Sequence, residues 1–222
     1  MKYKKFGSTA YLGQAFLPLL LIFSLQATNA QEEEWQTKMT KDGLVTIKYR
    51  VYNQLEEGGE KAQVIEYEAN TITKASLDAC VSIMSQEACH KEIMEGTEEA
   101  RRIEDLPGGE WVTYYYYKPP WPMPPADIIT RYKVELDKSK KQAILTGTPA
   151  PDRYPLQEVE RMEHNHTKYT FTDLGDGEVE IVMYSWSIPL ISAPKWLIKT
   201  WFPDGPGDMV RGIARLAEEE GK

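Results

Sequence analysis

Only one segment of this chain reads as a long amphipathic helix, and it comes last. In "GDMVRGIARLAEEEG", Met209, Val210, Ile213, Leu216 and Ala217 form an apolar stripe opposite Arg211, Arg215 and Glu218. Ahead of it the pattern is mostly that of strands. "LVTIKYRVY" (44–52) and "AQVIEYEANTI" (62–72) read as a hairpin, and "WVTYYYYK" (111–118), "DIITRYKVELD" (127–137), "QAILTGTP", "LQEVERMEHNHTKYTFTDL" (156–174) and "VEIVMYSWSIPL" as an antiparallel meander. Short helices follow the first two strands: Ser76 is placed to cap "LDACVSIMSQEACHKEIM", which is broken before Glu87. One helix cannot cover both sides of a sheet this size. The prediction is an α+β fold in which a curved antiparallel sheet wraps around the C-terminal helix, with a packed core or a cavity between them.

The first thirty residues stand apart. Lys2, Lys4 and Lys5 precede the apolar run "FLPLLLIFSL", then "QATNA" and the acidic "QEEEW", the three parts of a secretory signal over 1–30. An exported protein, periplasmic or secreted, is expected, with an acidic leader over 31–43 and a ligand-binding domain over 44–222. Removing the three lysines leaves 23 basic against 34 acidic residues, a net charge of −11. That balance argues against a nucleic-acid partner and against permanent residence on an anionic membrane. Cys80 and Cys89 would meet an oxidising compartment. On one continuous helix they would lie about 13.5 Å apart, too far to bridge, so a disulfide requires a turn near Ser85-Gln86. Two separate buried thiols are the other reading.

"YYYYKPPWPMPPAD" (114–127) breaks the sheet firmly. Proline donates nothing to a ladder and fixes φ, so five of them between Pro119 and Pro125 end the pairing and stiffen a crossover, with Trp121 placed to plug the rim. Strand alternation puts Tyr114 and Tyr116 on one face and Tyr115 and Tyr117 on the other. The first pair is the candidate lining; core packing with a solvated opposite face accounts for them equally. Along the next strand the inner set by hydrophobicity is Ile128, Thr130, Tyr132 and Val134. Tyr184 and Trp186 read either as lining or as outer packing. Thr130, Tyr132, Tyr184, Trp186 and, from the last helix, Met209, Val210 and Ile213 complete the candidate ligand-binding set. His164 and His166 have the H-x-H spacing of metal ligands, but His90 is the only other histidine, so no metal is expected.

No nucleophile–base pair, P-loop or dinucleotide fingerprint is present, so no catalytic residue and no cofactor is assigned. Two motifs do carry a resemblance. "YYYYKPPWPMPPADII" is similar to the strand, proline-aromatic-proline connection and acid-started strand of the START domain, the steroidogenic-acute-regulatory-related lipid-transfer family of the helix-grip superfamily. "IPLISAPKWLIKTW" resembles its Pro-x-Trp-Leu lead into the C-terminal helix. The family's Arg-Asp at the strand restart is Ala126-Asp127 here. The resemblance, which runs from about Leu44 to Glu220, implies a helix-grip fold and a cavity lidded by the last helix. Its implied partner is a lipid or other hydrophobic small molecule, with transient membrane contact during transfer. "FPDGPG" (202–207) reads as the hinge of that lid. A cyclase- or hydrolase-like enzyme using tyrosines and His164 or His166 in the same cavity, and a filled-core protein-binding module, are the alternatives.

Overall fold

The computed structural model describes residues 33–56, 58–119 and 123–221; the signal segment and Trp121 lie outside them. Ten strands form one sheet. In chain order they are β1 (Gln36–Met39), β2 (Thr46–Leu55), β3 (Lys61–Thr73), β4 (Thr97–Leu106), β5 (Glu110–Tyr117), β6 (Ala126–Asp137), β7 (Gln142–Pro149), β8 (Glu160–Arg161), β9 (Asn165–Gly175) and β10 (Glu178–Ser187). Their spatial order is β1-β2-β3-β10-β9-β7-β6-β5-β4, antiparallel throughout, with β8 alone running parallel to β6. Helices α1 (Leu77–Ser85) and α2 (Glu87–Ile93) connect β3 to β4, and α3 (Lys195–Trp201) and α4 (Asp204–Glu220) end the chain. Among the described residues no helix is long and apolar enough to cross a membrane.

Local chemistry explains the punctuation. The Ser76 side chain accepts a hydrogen bond from the Ala79 amide at 3.1 Å, capping α1 as expected. β9 turns into β10 through Asp176-Gly177, both at positive φ, the turn whose twist matches a hairpin. The break between α3 and α4 is narrower than the expected "FPDGPG": only Phe202 and Pro203 separate them, and Asp204 to Gly207 are already helical. The expected strand over 156–174 is shorter too. Only Glu160–Arg161 and Asn165 onward pair, the former with β6 rather than as part of β9. The acidic leader, for its part, supplies the edge strand β1. Lys38 on that strand donates to the α3 carbonyl of Lys199 and to that of Phe202, at 3.3 and 3.0 Å.

The two faces of the sheet have separate cores. On the concave face Ile47, Tyr49, Ala69, Leu145, Phe171, Ile181 and Met183 pack against Val210, Ile213, Leu216 and Ala217 of α4 and against α1 and α2. Close approach is needed where α4 crosses α2: a Cβ on Gly212 would stand 3.2 Å from the Ile93 Cα. Phe202 stacks on Tyr49 with ring centroids 4.1 Å apart, fixing the α3–α4 junction to β2. On the convex face a smaller core joins Val112, Tyr114 and Ile129 to Tyr154 of the segment between β7 and β8.

That segment is held by a buried ion pair. Arg161 donates to both carboxylate oxygens of Asp127, at 2.9 and 2.7 Å, and also to the carbonyls of Pro151, Tyr154 and Pro155. The side chains are 4% and 0% exposed. Removing one partner strands the other charge in a dry site. Asp127→Ala should therefore lower unfolding free energy by about 3–5 kcal/mol, read as a shift of the urea midpoint. Asp127→Ala combined with Arg161→Met should recover part of that loss.

Candidate functional site

Register decides which residues face α4. β5 pairs with β6 so that Trp111 stands opposite Tyr132, Thr113 opposite Thr130, Tyr115 opposite Ile128 and Tyr117 opposite Ala126. These are the concave pairs. Tyr114 and Tyr116 lie on the convex side, opposite Ile129 and Asp127, and the expectation that they face the helix is corrected. Tyr184 and Trp186 are likewise convex. Tyr184 donates to Glu66 at 2.6 Å and Trp186 to the Tyr52 hydroxyl at 3.3 Å, while Val179, Ile181, Met183 and Ser185 face inward. Thr130, Tyr132, Met209, Val210 and Ile213 stand on the concave side or on the helix face that covers it.

A signal for the correct facing was present in the sequence. Tyr114 and Tyr116 share their parity with Glu110 and Lys118, and Tyr184 and Trp186 with Glu178 and Glu180. The other parity of each strand carries no charge, and a strand buries its uncharged side.

Six tyrosines therefore line the concave face: Tyr49 on β2, Tyr67 on β3, Tyr115 and Tyr117 on β5, Tyr132 on β6 and Tyr169 on β9. Gly147 on β7 makes room for one of them, since a Cβ there would come within 2.9 Å of the Tyr132 ring. The Tyr132 and Tyr115 hydroxyls are 2.8 Å apart, and Tyr115 is 2.6 Å from His90 Nδ1. The Tyr67 hydroxyl reaches the Met209 sulfur of α4 at 3.7 Å. Tyr169 is only 7% exposed, yet its hydroxyl has no hydrogen-bond partner among the described residues. Burial pushes its pKa well above the ordinary phenol value, and the charges of neighbouring Tyr132 and Tyr67 push it further. Burial likewise raises Tyr115 strongly and Tyr132 to about 12, and holds His90 below the usual imidazole value.

One end of this face is sealed and the other opens. Ala143, Phe171, Val179 and Ile181 close the far end completely. At the near end Ile65, Tyr117, Met162, Leu197 and Met209 are only partly buried, where β5 leaves for the proline connection and α3 meets α4. The described surface also carries two open hollows, of about 490 and 340 Å3, and neither lies beneath α4. The larger runs along the solvent side of α4. Its arginines are already paired, Arg211 with Asp42 and Asp208, and Arg215 with Glu92 and Glu219. Beneath α4 the side chains close on one another.

The remaining candidates fall elsewhere. His166 is exposed on the convex side with its ring against Trp186, and His164 is exposed in the loop before β9, so neither joins the tyrosines. Cys80 and Cys89 are free thiols in different helices. The turn at Gln86 is present, but the bond is not. Burial raises the Cys80 thiol to about 12, which leaves it unreactive.

With this geometry in hand, the class is clear: the chain has the START-like helix-grip fold. A STAR-related lipid transfer protein from Xanthomonas axonopodis shares it with a TM-score of 0.67 at 16% identity, covering 83% of this chain and 98% of that one. Human StAR-related lipid transfer protein 5 gives 0.67 at 11% identity, covering 89% and 90%. Human STARD10 gives 0.62 at 17% identity, covering 85% and 77%. At these identities the likeness is one of fold. No family model and no curated protein matches the sequence.

The phenols set an alkaline limit. A tyrosine whose folded pKa is raised stabilises the fold fully below its unfolded value near 10, and that stability is lost as pH rises through the folded value. Tyr132 alone should cost the fold about 2–3 kcal/mol by pH 12. Absorbance at the phenolate band should show exposed tyrosines titrating first, and the buried group ionising only together with loss of the circular dichroism signal.

Proposed function

We propose that this chain binds a lipid or similar apolar small molecule between the concave face and the α3–α4 segment, and carries it through an aqueous compartment after export. The observation that carries the reading is the set of phenols on an uncharged concave face, with the Tyr132 and Tyr115 hydroxyls linked in a run that ends at His90. A ligand site of this kind is mostly apolar with a few placed polar groups. Sealing apolar ligand surface there gains roughly 25 cal/mol per Å2 removed from water.

Volume for the ligand comes from displacing side chains at the open end and moving α3, because the concave face is closed over by its own residues. The short break at Phe202-Pro203 is where that movement would be taken up. α3 also supports contact with a bilayer: Trp196 is 69% exposed, and Ile191 and Trp201 are exposed beside it. Tryptophan at a surface of this kind suits the membrane–water interface. The signal-like N-terminus supports export. The enzyme reading loses His164 and His166, which stand outside the cluster.

Solvent extraction of the purified mature protein followed by mass spectrometry should release a stoichiometric apolar compound. In a vesicle-to-vesicle assay with a fluorescent lipid, the protein should speed transfer, and Trp196→Ala should slow it several-fold while leaving binding unchanged. Failure to extract or load any apolar compound would remove the reading.

A further inference from the structure

The hydrogen-bond chain behind Tyr132 has a fixed direction. His90 Nε2 lies 3.0 Å from the Met84 carbonyl oxygen, which can only accept, so Nε2 carries the hydrogen. The buried imidazole stays neutral, which leaves Nδ1 bare. Tyr115 must then donate to Nδ1, across 2.6 Å, and its oxygen receives the Tyr132 proton across 2.8 Å. Each link polarises the next in a dry interior. The outcome is that Tyr132 has spent its only hydrogen on the protein and shows its oxygen as an acceptor. Tyr169, on β9 of the same face, has no hydrogen-bond acceptor among the described residues. The cluster itself holds no charge: phenols and a neutral imidazole are joined there by the hydroxyls of Ser185, Thr113 and Thr130, the Trp111 indole and the Met209 thioether. Glu87 and Arg102, the charges at its α2 end, are paired with each other at 2.9 Å.

Resting on the binding reading above, we propose that Tyr132 selects the ligand: the chain from Met84 through His90 and Tyr115 makes it an acceptor. The group the ligand buries there is then an uncharged donor, a hydroxyl or N–H on an apolar skeleton. A hydroxyl has the hydrogen that the Tyr132 oxygen can accept. An ether or ketone has nothing to give Tyr132. A carboxylate or phosphate meets an acceptor and no cation, and a buried unpaired anion is costly.

The test uses the mature protein loaded with Nile red, displaced in turn by dodecanol, its methyl ether and the methyl ketone of the same chain length. Dodecanol should displace the dye at roughly five- to tenfold lower concentration than either analogue, the worth of one buried hydrogen bond. Tyr132→Phe should erase that preference, so that dodecanol and its methyl ether displace the dye at the same concentration. His90→Leu removes the anchor and lets the chain reverse, so the ketone should gain on the alcohol; a merely structural role would weaken all three alike. Should His90→Leu fail to fold, Tyr132→Phe still decides the matter. Equal displacement by all three compounds, in a wild type that takes up Nile red, overturns the selection and leaves the binding reading standing. A wild type that takes up neither dye nor alcohol overturns both.

Discussion

Three helices must share the closing of one concave sheet face, α1 over β7 and β9, α2 against β4 and α4 over β2, β3 and β10, and most of the structure follows from that demand. The sheet has to bend around these helices, and it carries register shifts in the β4–β5 pair and at the start of β10. Small residues are needed where backbones or large rings crowd, which is why Ala69, Ala143 and Gly147 face inward on strands otherwise rich in bulky side chains. Helix α4 in turn gives up a side chain at Gly212 so that α2 can pack beside it. Its amphipathic stripe could be read from sequence as a face packed on the sheet, which is where Val210, Ile213, Leu216 and Ala217 lie.

The strand faces were legible only in part. Thr130 and Tyr132 were assigned correctly because their strand separates Ile128 and Val134 from Arg131, Lys133 and Glu135, a clean division of apolar from charged. β5 and β10 are uncharged and aromatic through their middles on both parities, and hydrophobicity alone could not choose. The charges that settle the matter sit at the strand ends, at Glu110, Lys118, Glu178 and Glu180. The choice also had to fail for a second reason. A convex aromatic face is normally solvated, but here Tyr114 is covered by Tyr154 from a connection whose packing no local pattern announces. His90 was missed for a similar reason: a lone histidine in a short helix reads as surface, and its partners are strand tyrosines distant in sequence.

The convex side is where this chain spends its ionic interactions. Arg161 and Asp127 hold the β7–β8 connection down, Arg101 lies over Tyr114 and Tyr154, and Arg50 lies over Trp35 and Tyr52 while bridging Glu66. The arginine expected beside Asp127 is replaced by Ala126, and the cation comes instead from β8. The ion pair and the proline connection thus act at the same place, where β6 begins. One fixes the strand from its convex side, and the other keeps the chain from pairing further.

Keeping charge out of the concave side has a consequence for how a closed protein can admit a ligand. A lining that held an unpaired ion would have to stay hydrated, and the helix could not settle onto it without a cost of several kcal/mol. Phenols permit both states. When α4 is down, their rings are core residues and their hydroxyls can be satisfied by one another, as in the run from Tyr132 to His90, at a net worth of about 1 kcal/mol per bond. The buried polar atoms left without a partner among the described residues are those of Thr97, Trp111 and Thr167, a penalty a folded domain can carry. In the proposed bound state the same rings would form the ligand's wall. A tyrosine-lined interior would then need no standing chamber to bind, which reconciles the proposed ligand with a concave face packed by its own side chains.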